Sequence, residues 1–397
     1  MNAWKQVWGS LEIPWGTQIG RLENVTQKVL IKNYWKADRV RLRFSNLYGA
    51  QPLEIEHVTV GRWDREQKCV VQTVPVTVDG RMQIRIEPGA AFDSDAAMVQ
   101  LSPDSDIVIA CYFKQAQECC SICQTWSAGT FCTAFSDGDQ TTGELLGQRL
   151  TAQVFTGLSP DAATCCAAAG VSGLSMFTDA DLKTIACFGD SITHMGYYFD
   201  PLAELVQQHF PGRYVLLNYG IGGNRLLYDD CFVPEIPGHG KCFGKAGITR
   251  FARDVYQQGA PDAVFVMEGV NDCTHAFAFG LPDEVPTGET LFKGLCDIIS
   301  TVHQNAGKVY ISTVMPFGCY QESFRSRANE IRCSFNRYIR EQNTIADGFV
   351  DLDALMRKED APDILRDGCH LGDGVHPNET GGRIIAQAVF DCMFGRK

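Results

Sequence analysis

Residues 39–49, "RVRLRFSNLYG", alternate Arg39, Arg41 and Arg43 with Val40, Leu42 and Phe44 and end at a glycine turn. A period of two is expected of a strand with one buried and one wet face. The stretches "LEIEHVTVGRW", "RMQIRIEPG" and "DIVIACYF" repeat the theme between turn residues, and no helical period of comparable strength interrupts them. The expectation for residues 1–180 is therefore an antiparallel β-sandwich, jelly-roll-like. The run 155–173, "FTGLSPDAATCCAAAGVSG", reads as irregular, and a domain boundary is expected between Asp179 and Lys183.

Beyond that boundary the pattern changes. Short apolar runs, "TIACF", "YVLLNYG", "AVFVMEG", "KVYISTV" and "GFVDL", alternate with amphipathic runs, "PLAELVQQHF", "ITRFARDVYQQG", "ETLFKGLCDIISTVHQNAG", "SFRSRANEIRCSFNRYIREQ" and "TGGRIIAQAVFDCMF". Alternating strands and helices predict right-handed crossovers and a doubly wound, flavodoxin-like parallel sheet over residues 181–397, so the fold class is α/β with an all-β N-terminal domain. Ligands of such sheets bind beyond the carboxyl ends of the strands, which singles out the residues just after each one.

Composition narrows the partners. The net charge of -12, from 47 acidic and 35 basic side chains, argues against nucleic acid or an anionic membrane and suits a small neutral substrate. No segment approaches the about 20 continuous apolar residues of a membrane span. The opening "MNAWKQVWGSLEIPW" lacks the apolar run of an export signal, and a cytoplasmic location is expected. The 17 cysteines are then read as reduced thiols. Cys120 and Cys123 have metal-site spacing within the cluster Cys119, Cys120, Cys123 and Cys132, but no second pair accompanies them, so neither metal nor cofactor is expected. The third position of a dinucleotide fingerprint in "NYGIGGN" is filled by Arg225, which argues the same way. A homo-oligomer stays open.

Four strand ends or late loops carry polar groups: Gly189-Asp190-Ser191, then "NYGIGGN" with Gly222, Gly223 and Asn224, then "EGVND" with Asn271 and Asp272, and finally "GDGVHPN" with Asp373 and His376. Together they are complete for acyl transfer. A serine hydroxyl needs a base at the moment of attack, and an imidazole, with its ordinary pKa of about 6.5, can serve. Asp373, placed before His376, can fix the imidazole's tautomer and balance its charge. The backbone N–H groups of Ser191 and Gly223 and the Asn271 amide would meet the oxyanion. Asp190 and Asp272 read as loop-orienting acids, and Asn224, Arg225, Glu268 and His194 as candidates for substrate contact. Arg225 and Glu268 have a structural ion pair or a loop anchor as their alternative. His370, with Asp367 before it, is an inferior second base.

These blocks stand in the order and spacing of the SGNH, or GDSL-type, hydrolase superfamily, which the chain resembles over residues 183–395. The segments "NYGIGGNRLL", "VMEGVND" and "HLGDGVHPN", preceded by a β-rich domain, resemble two-domain bacterial esterases related to acetylxylan esterases. The resemblance implies a serine esterase acting through an acyl-serine intermediate on O-acetyl esters of carbohydrates. Two alternatives stand beside it: hydrolysis of longer acyl chains, as by a lipase, lysophospholipase or thioesterase, and a non-catalytic carbohydrate-binding protein. Residues 228–246, "YDDCFVPEIPGHGKCFGKA", are longer than the corresponding loop expected in that group.

Overall fold

The computed structural model describes residues 3–158, 164–178, 181–318 and 322–395. The chain forms two compact units. One comprises Met1–Leu182, Phe210–Leu217 and Pro234–Cys242, and the other Lys183–His209, Asn218–Val233 and Phe243–Lys397. Asp179 and Ala180, within the expected boundary, lie outside the described residues.

The first unit is built of antiparallel sheets. In one, the strands Ala3–Gly9, Val171–Thr178 and Ala37–Ser45 lie side by side, and Ala37–Ser45 pairs further with Ala91–Asp93 and Ala97–Leu101. In a second five-stranded sheet the order is Cys132–Asp137, Val25–Ile31, Ser105–Phe113, His57–Asp64 and Cys69–Val76. The alternation seen in "RVRLRFSNLYG" decides which face is inward: Val40, Leu42 and Phe44 are buried. On the opposite face the Arg41 guanidinium lies over the Trp4 ring at 4.3 Å and Arg39 over Phe177 at 4.1 Å.

One expectation fails here. The run read as irregular, 155–173, contains the strand Cys166–Ala168 and the start of Val171–Thr178, which is held between two neighbours in its sheet. Alanine and glycine have weak strand propensity, and tertiary pairing overrides it.

The C-terminal half of the chain carries a five-stranded sheet of Lys183–Gly189, Tyr214–Gly220, Ala263–Met267, Lys308–Ser312 and Gly348–Val350, in the order second, first, third, fourth, fifth. The first–third, third–fourth and fourth–fifth pairs are parallel. Residues 185–189 and 263–267 are buried without alternation, as strands covered on both faces must be. The order reverses between the first and third strands, and such a switch point opens a crevice at their carboxyl ends. Gly189 pairs with Met267 there, so the segments after the two strands leave the sheet side by side.

The helices Phe199–His209, Gly247–Tyr256, Gly288–Gln304, Arg325–Glu341 and Glu379–Phe394 coincide with the amphipathic runs. The helix Val270–Ala278 does not, because "EGVND" reads as a loop. Residues Val270 to Ala276 are all buried, so this helix has no wet face and no amphipathic period. Gly269 makes its abrupt start: at φ 116° it occupies a conformation that other residues avoid, and it turns the chain from strand to helix. No helix among the described residues is long and apolar enough to cross a membrane.

Candidate active site

The first strand ends in a tight turn. The Asp190 side chain accepts the Ile192 N–H at 2.9 Å and caps the four-residue helix Ser191–His194. Ser191 is thus the first helical residue, and its own N–H is among those that a helix start leaves without an internal partner. Its Oγ lies 2.7 Å from His376 Nε2, across 185 positions of sequence.

His376 sits in the turn before the last helix. Asp373 Oδ1 accepts the N–H groups of Val375 and His376 at 2.9 and 3.0 Å, which folds the turn around the carboxylate. Its Oδ2 then lies 2.5 Å from His376 Nδ1. Burial alone would raise the Asp373 carboxyl, but the bonds from the His376 ring and the two backbone N–H groups outweigh it and hold the group far below the usual carboxylate range. An ionised carboxylate only accepts, so Nδ1 carries the proton and Nε2 is left to accept from the Ser191 hydroxyl. His370 has no such arrangement. Its Nδ1 accepts the Gly372 N–H at 3.0 Å, and Asp367 pairs instead with Lys358 at 3.0 Å.

The candidate oxyanion donors come from the next two strand ends. Gly223 has φ 75°, and a Cβ there would fall 2.1 Å from the Phe243 ring, so both backbone and space demand glycine. Asn271 lies in the first turn of the buried helix, and its Nδ2 donates to the Asn224 carbonyl at 2.8 Å. That bond ties the helix to the glycine loop and uses one of the two amide hydrogens. The glycine loop is tied to the serine turn in the same way: Ile221 N–H donates to Gly189 O at 3.0 Å, and Gly222 N–H to His194 Nδ1 at 3.0 Å. Replacing Asn271 by alanine is expected to lower kcat by about 10²–10³-fold with KM little changed, as loss of one oxyanion donor does. A fall under threefold in initial-rate kinetics would remove the amide from the site.

Residues 187–384 match the model of the GDSL-like lipase/acylhydrolase family. These residues belong to that family. The chemistry of this acylhydrolase segment is therefore ester hydrolysis. Among solved structures the chain is similar to an acetyl xylan esterase from Geobacillus stearothermophilus, at 20% identity and TM-score 0.39 over 55% of this chain and 97% of that one. It is also similar to a GDSL-like lipase from Bacteroides thetaiotaomicron, at 20% identity and TM-score 0.38 over 52% and 85% of the two chains. Among curated proteins none matches.

The residues expected at the substrate are placed differently. The structure buries all four of them within the acylhydrolase segment. Asn224 donates to the carbonyls of Phe243 and Lys245 at 2.7 and 2.8 Å and accepts from Arg250, so its side chain is committed to the loop. His194 holds Gly222, as described. Arg225 pairs with Glu284 at 2.6 Å and donates to the Asp229 carbonyl, so the ion pair considered with Glu268 does not form. Glu268 lies instead 3.8 Å from Arg250. A glycine-rich loop has few side chains with which to anchor itself, and its polar neighbours supply the anchors. Asp272 accepts the N–H groups of Leu226 and Leu227 at 2.6 and 2.9 Å, again a loop-orienting role.

Arg250 is the residue that sequence reasoning missed. Fully buried, it donates to Gly189 O at 2.9 Å, to Tyr219 O at 3.2 Å and to the Asn224 side chain at 2.8 Å, and it rests on the Phe188 ring at 4.0 Å. One cation thus joins the ends of the first two strands to the glycine loop. The i, i+4 pair with Asp254, at 3.1 Å, was its one visible signal.

Around it lie buried acids. Burial pushes Asp190 up to about 7 and Asp272 up to about 6, and pushes Glu268 far above the ordinary range. An acid with a raised folded-state pKa keeps its proton where the unfolded chain has lost it, so its stabilising contribution is full at low pH and fades as pH rises through that folded value. Denaturant stability of the wild type should accordingly fall more steeply than that of Glu268→Gln as pH rises above the ordinary glutamate value of about 4.5. Equal slopes would show that Glu268 is ionised throughout. Among the described residues no group of three or more His, Cys, Asp or Glu side chains is placed to hold a metal ion, and no disulfide joins the described cysteines.

Proposed function

We propose that the chain is a serine esterase that removes small acyl groups, O-acetyl groups in the first place, from carbohydrate hydroxyls through an acyl-serine intermediate. The observation that carries the reading is the continuous relay from Asp373 Oδ2 through the His376 ring to Ser191 Oγ, at 2.5 and 2.7 Å. Ser191 attacks the ester carbonyl while His376 takes its proton, and Asp373 stabilises the imidazolium. The N–H groups of Ser191 and Gly223 and the second amide hydrogen of Asn271 receive the negative oxygen. His376 then returns the proton to the leaving alcohol, and water repeats the sequence on the acyl-serine.

The sugar alcohol is supported by the resemblance of "NYGIGGNRLL", "VMEGVND" and "HLGDGVHPN" to acetylxylan-esterase-like sequences. In this reading the substrate is an oligosaccharide ester met in the cytoplasm, and the two five-stranded antiparallel sheets of the first unit are the layers of a jelly-roll-like sandwich. The test is incubation with acetylated xylan and mannan oligosaccharides, following acetate release and product masses, with Ser191→Ala as control. Acetate release that Ser191→Ala abolishes is the expected result. Turnover of long-chain esters with none of the sugar acetates would overturn it in favour of a lipid substrate.

A further inference from the structure

The Phe243 side chain comes from the far end of the long segment 228–246 and lies on the glycine that offers an oxyanion donor. A Cβ built on Gly223 would meet Phe243 Cδ1 at 2.1 Å, Cε1 at 2.3 Å and Cγ at 2.8 Å, so the ring fills the space beside the Gly223 Cα. It is fixed there from both sides. The Phe243 carbonyl accepts the Asn224 amide at 2.7 Å, and the ring packs on His275 at 5.2 Å and on Phe279 at 6.4 Å, nearly parallel to the latter. Asn271, His275 and Phe279 are spaced four residues apart, which places them along one helix face. The backbone candidate Gly223 therefore has this aromatic group against it, and the side-chain candidate Asn271 lies one turn before His275 on the same helix.

The group is uncharged. Burial, then the nearby Arg225 cation, push His275 down to about 3, and burial pushes the neighbouring Cys231 thiol up. Cys231 Sγ lies 4.0 Å from His275 Nδ1.

The direction of a bound ester follows from the chemistry. Its carbonyl oxygen must lie about 2.7–3.1 Å from the donors. Its leaving oxygen must face His376 to receive the proton. The remaining substituent on the carbonyl carbon is the acyl chain. It points away from the leaving oxygen at His376, and its first carbon is bonded to the same carbon as the oxygen held by Gly223 N–H, so the chain starts beside that glycine and the ring packed on it.

We propose that Phe243 is the acyl-length determinant of this site: its ring, backed by His275 and Phe279, admits an acetyl or propionyl group and stops longer chains. The inference rests on the esterase reading above and specifies its acyl class. In a pocket of this kind each methylene is worth about 10-fold or more in kcat/KM.

The experiment measures kcat/KM for nitrophenyl acetate, butyrate, hexanoate and octanoate with the wild type, Phe243→Ala and the milder Phe243→Leu. The expected wild-type profile falls steeply beyond propionate length. Phe243→Ala should raise the hexanoate-to-acetate ratio by at least about 10-fold and Phe243→Leu by an intermediate factor. Phe243→Leu keeps an apolar side chain against Gly223, so it carries the test if the alanine variant does not fold. An acetate-preferring wild type whose ratio moves less than threefold in the folded variants would overturn the role of Phe243 and leave the esterase reading standing. A wild type that prefers octanoate to acetate would overturn the role of Phe243 together with the small-acyl part of the proposed function, while the serine-esterase chemistry would stand.

Discussion

Replacing Ser191 by alanine is expected to lower kcat for nitrophenyl acetate by about 10⁴-fold or more while leaving the fold intact. The Oγ is the atom at the end of the relay, 2.7 Å from the His376 Nε2 that would take its proton. The backbone at this position is set by other groups: the Asp190 cap on Ile192 N–H, and the His194 and Met195 N–H groups bonded back to the carbonyls of Asp190 and Ser191 at 2.9 Å. Removing the hydroxyl therefore removes the nucleophile without removing the turn. A thermal melt beside the kinetics separates the two effects. If the variant keeps more than a tenth of wild-type kcat with an unchanged melt, the hydroxyl is not the nucleophile, and the proposed chemistry falls with it.

The parts of this site that were legible in the sequence are those that local rules place. A strand followed by Gly-Asp-Ser sets the serine at the carboxyl end of a strand, and three residues of separation let Asp373 reach His376 within one turn. The parallel strands were legible because burial on both faces makes them short continuous apolar runs. What was not legible depends on contacts far apart in sequence. Arg250 sits on an amphipathic helix like any surface arginine, and only the fold turns it toward Gly189, Tyr219 and Asn224. The helix bearing Asn271 hides because its first seven residues are buried on every side. Asn224 and His194 were read as substrate contacts because polar residues beside a glycine loop look exposed. In the structure the loop consumes them.

His376→Ala should cost nearly as much as the loss of Ser191, because residues that act as one relay are not additive, and Asp373→Asn should cost less than His376→Ala. His370→Ala should stay near wild type, since His370 is bonded to the Gly372 N–H and Asp367 to Lys358. The pH profile carries the assignment further. Asp373 is held far below the usual range, so it stays ionised across about pH 5 to 8 and adds no step to the profile there. The base must be neutral to act, so log(kcat/KM) should rise with pH and then level off. Asp190, pushed by burial up to about 7, titrates between about pH 5 and 8 and must be separated from the base. Asp190→Asn does so, because asparagine caps a helix as well as aspartate and cannot ionise. The rising limb should survive in Asp190→Asn. Its disappearance there would move the controlling proton from His376 to the buried cap, and a large loss at His370 with none at His376 would move the base itself.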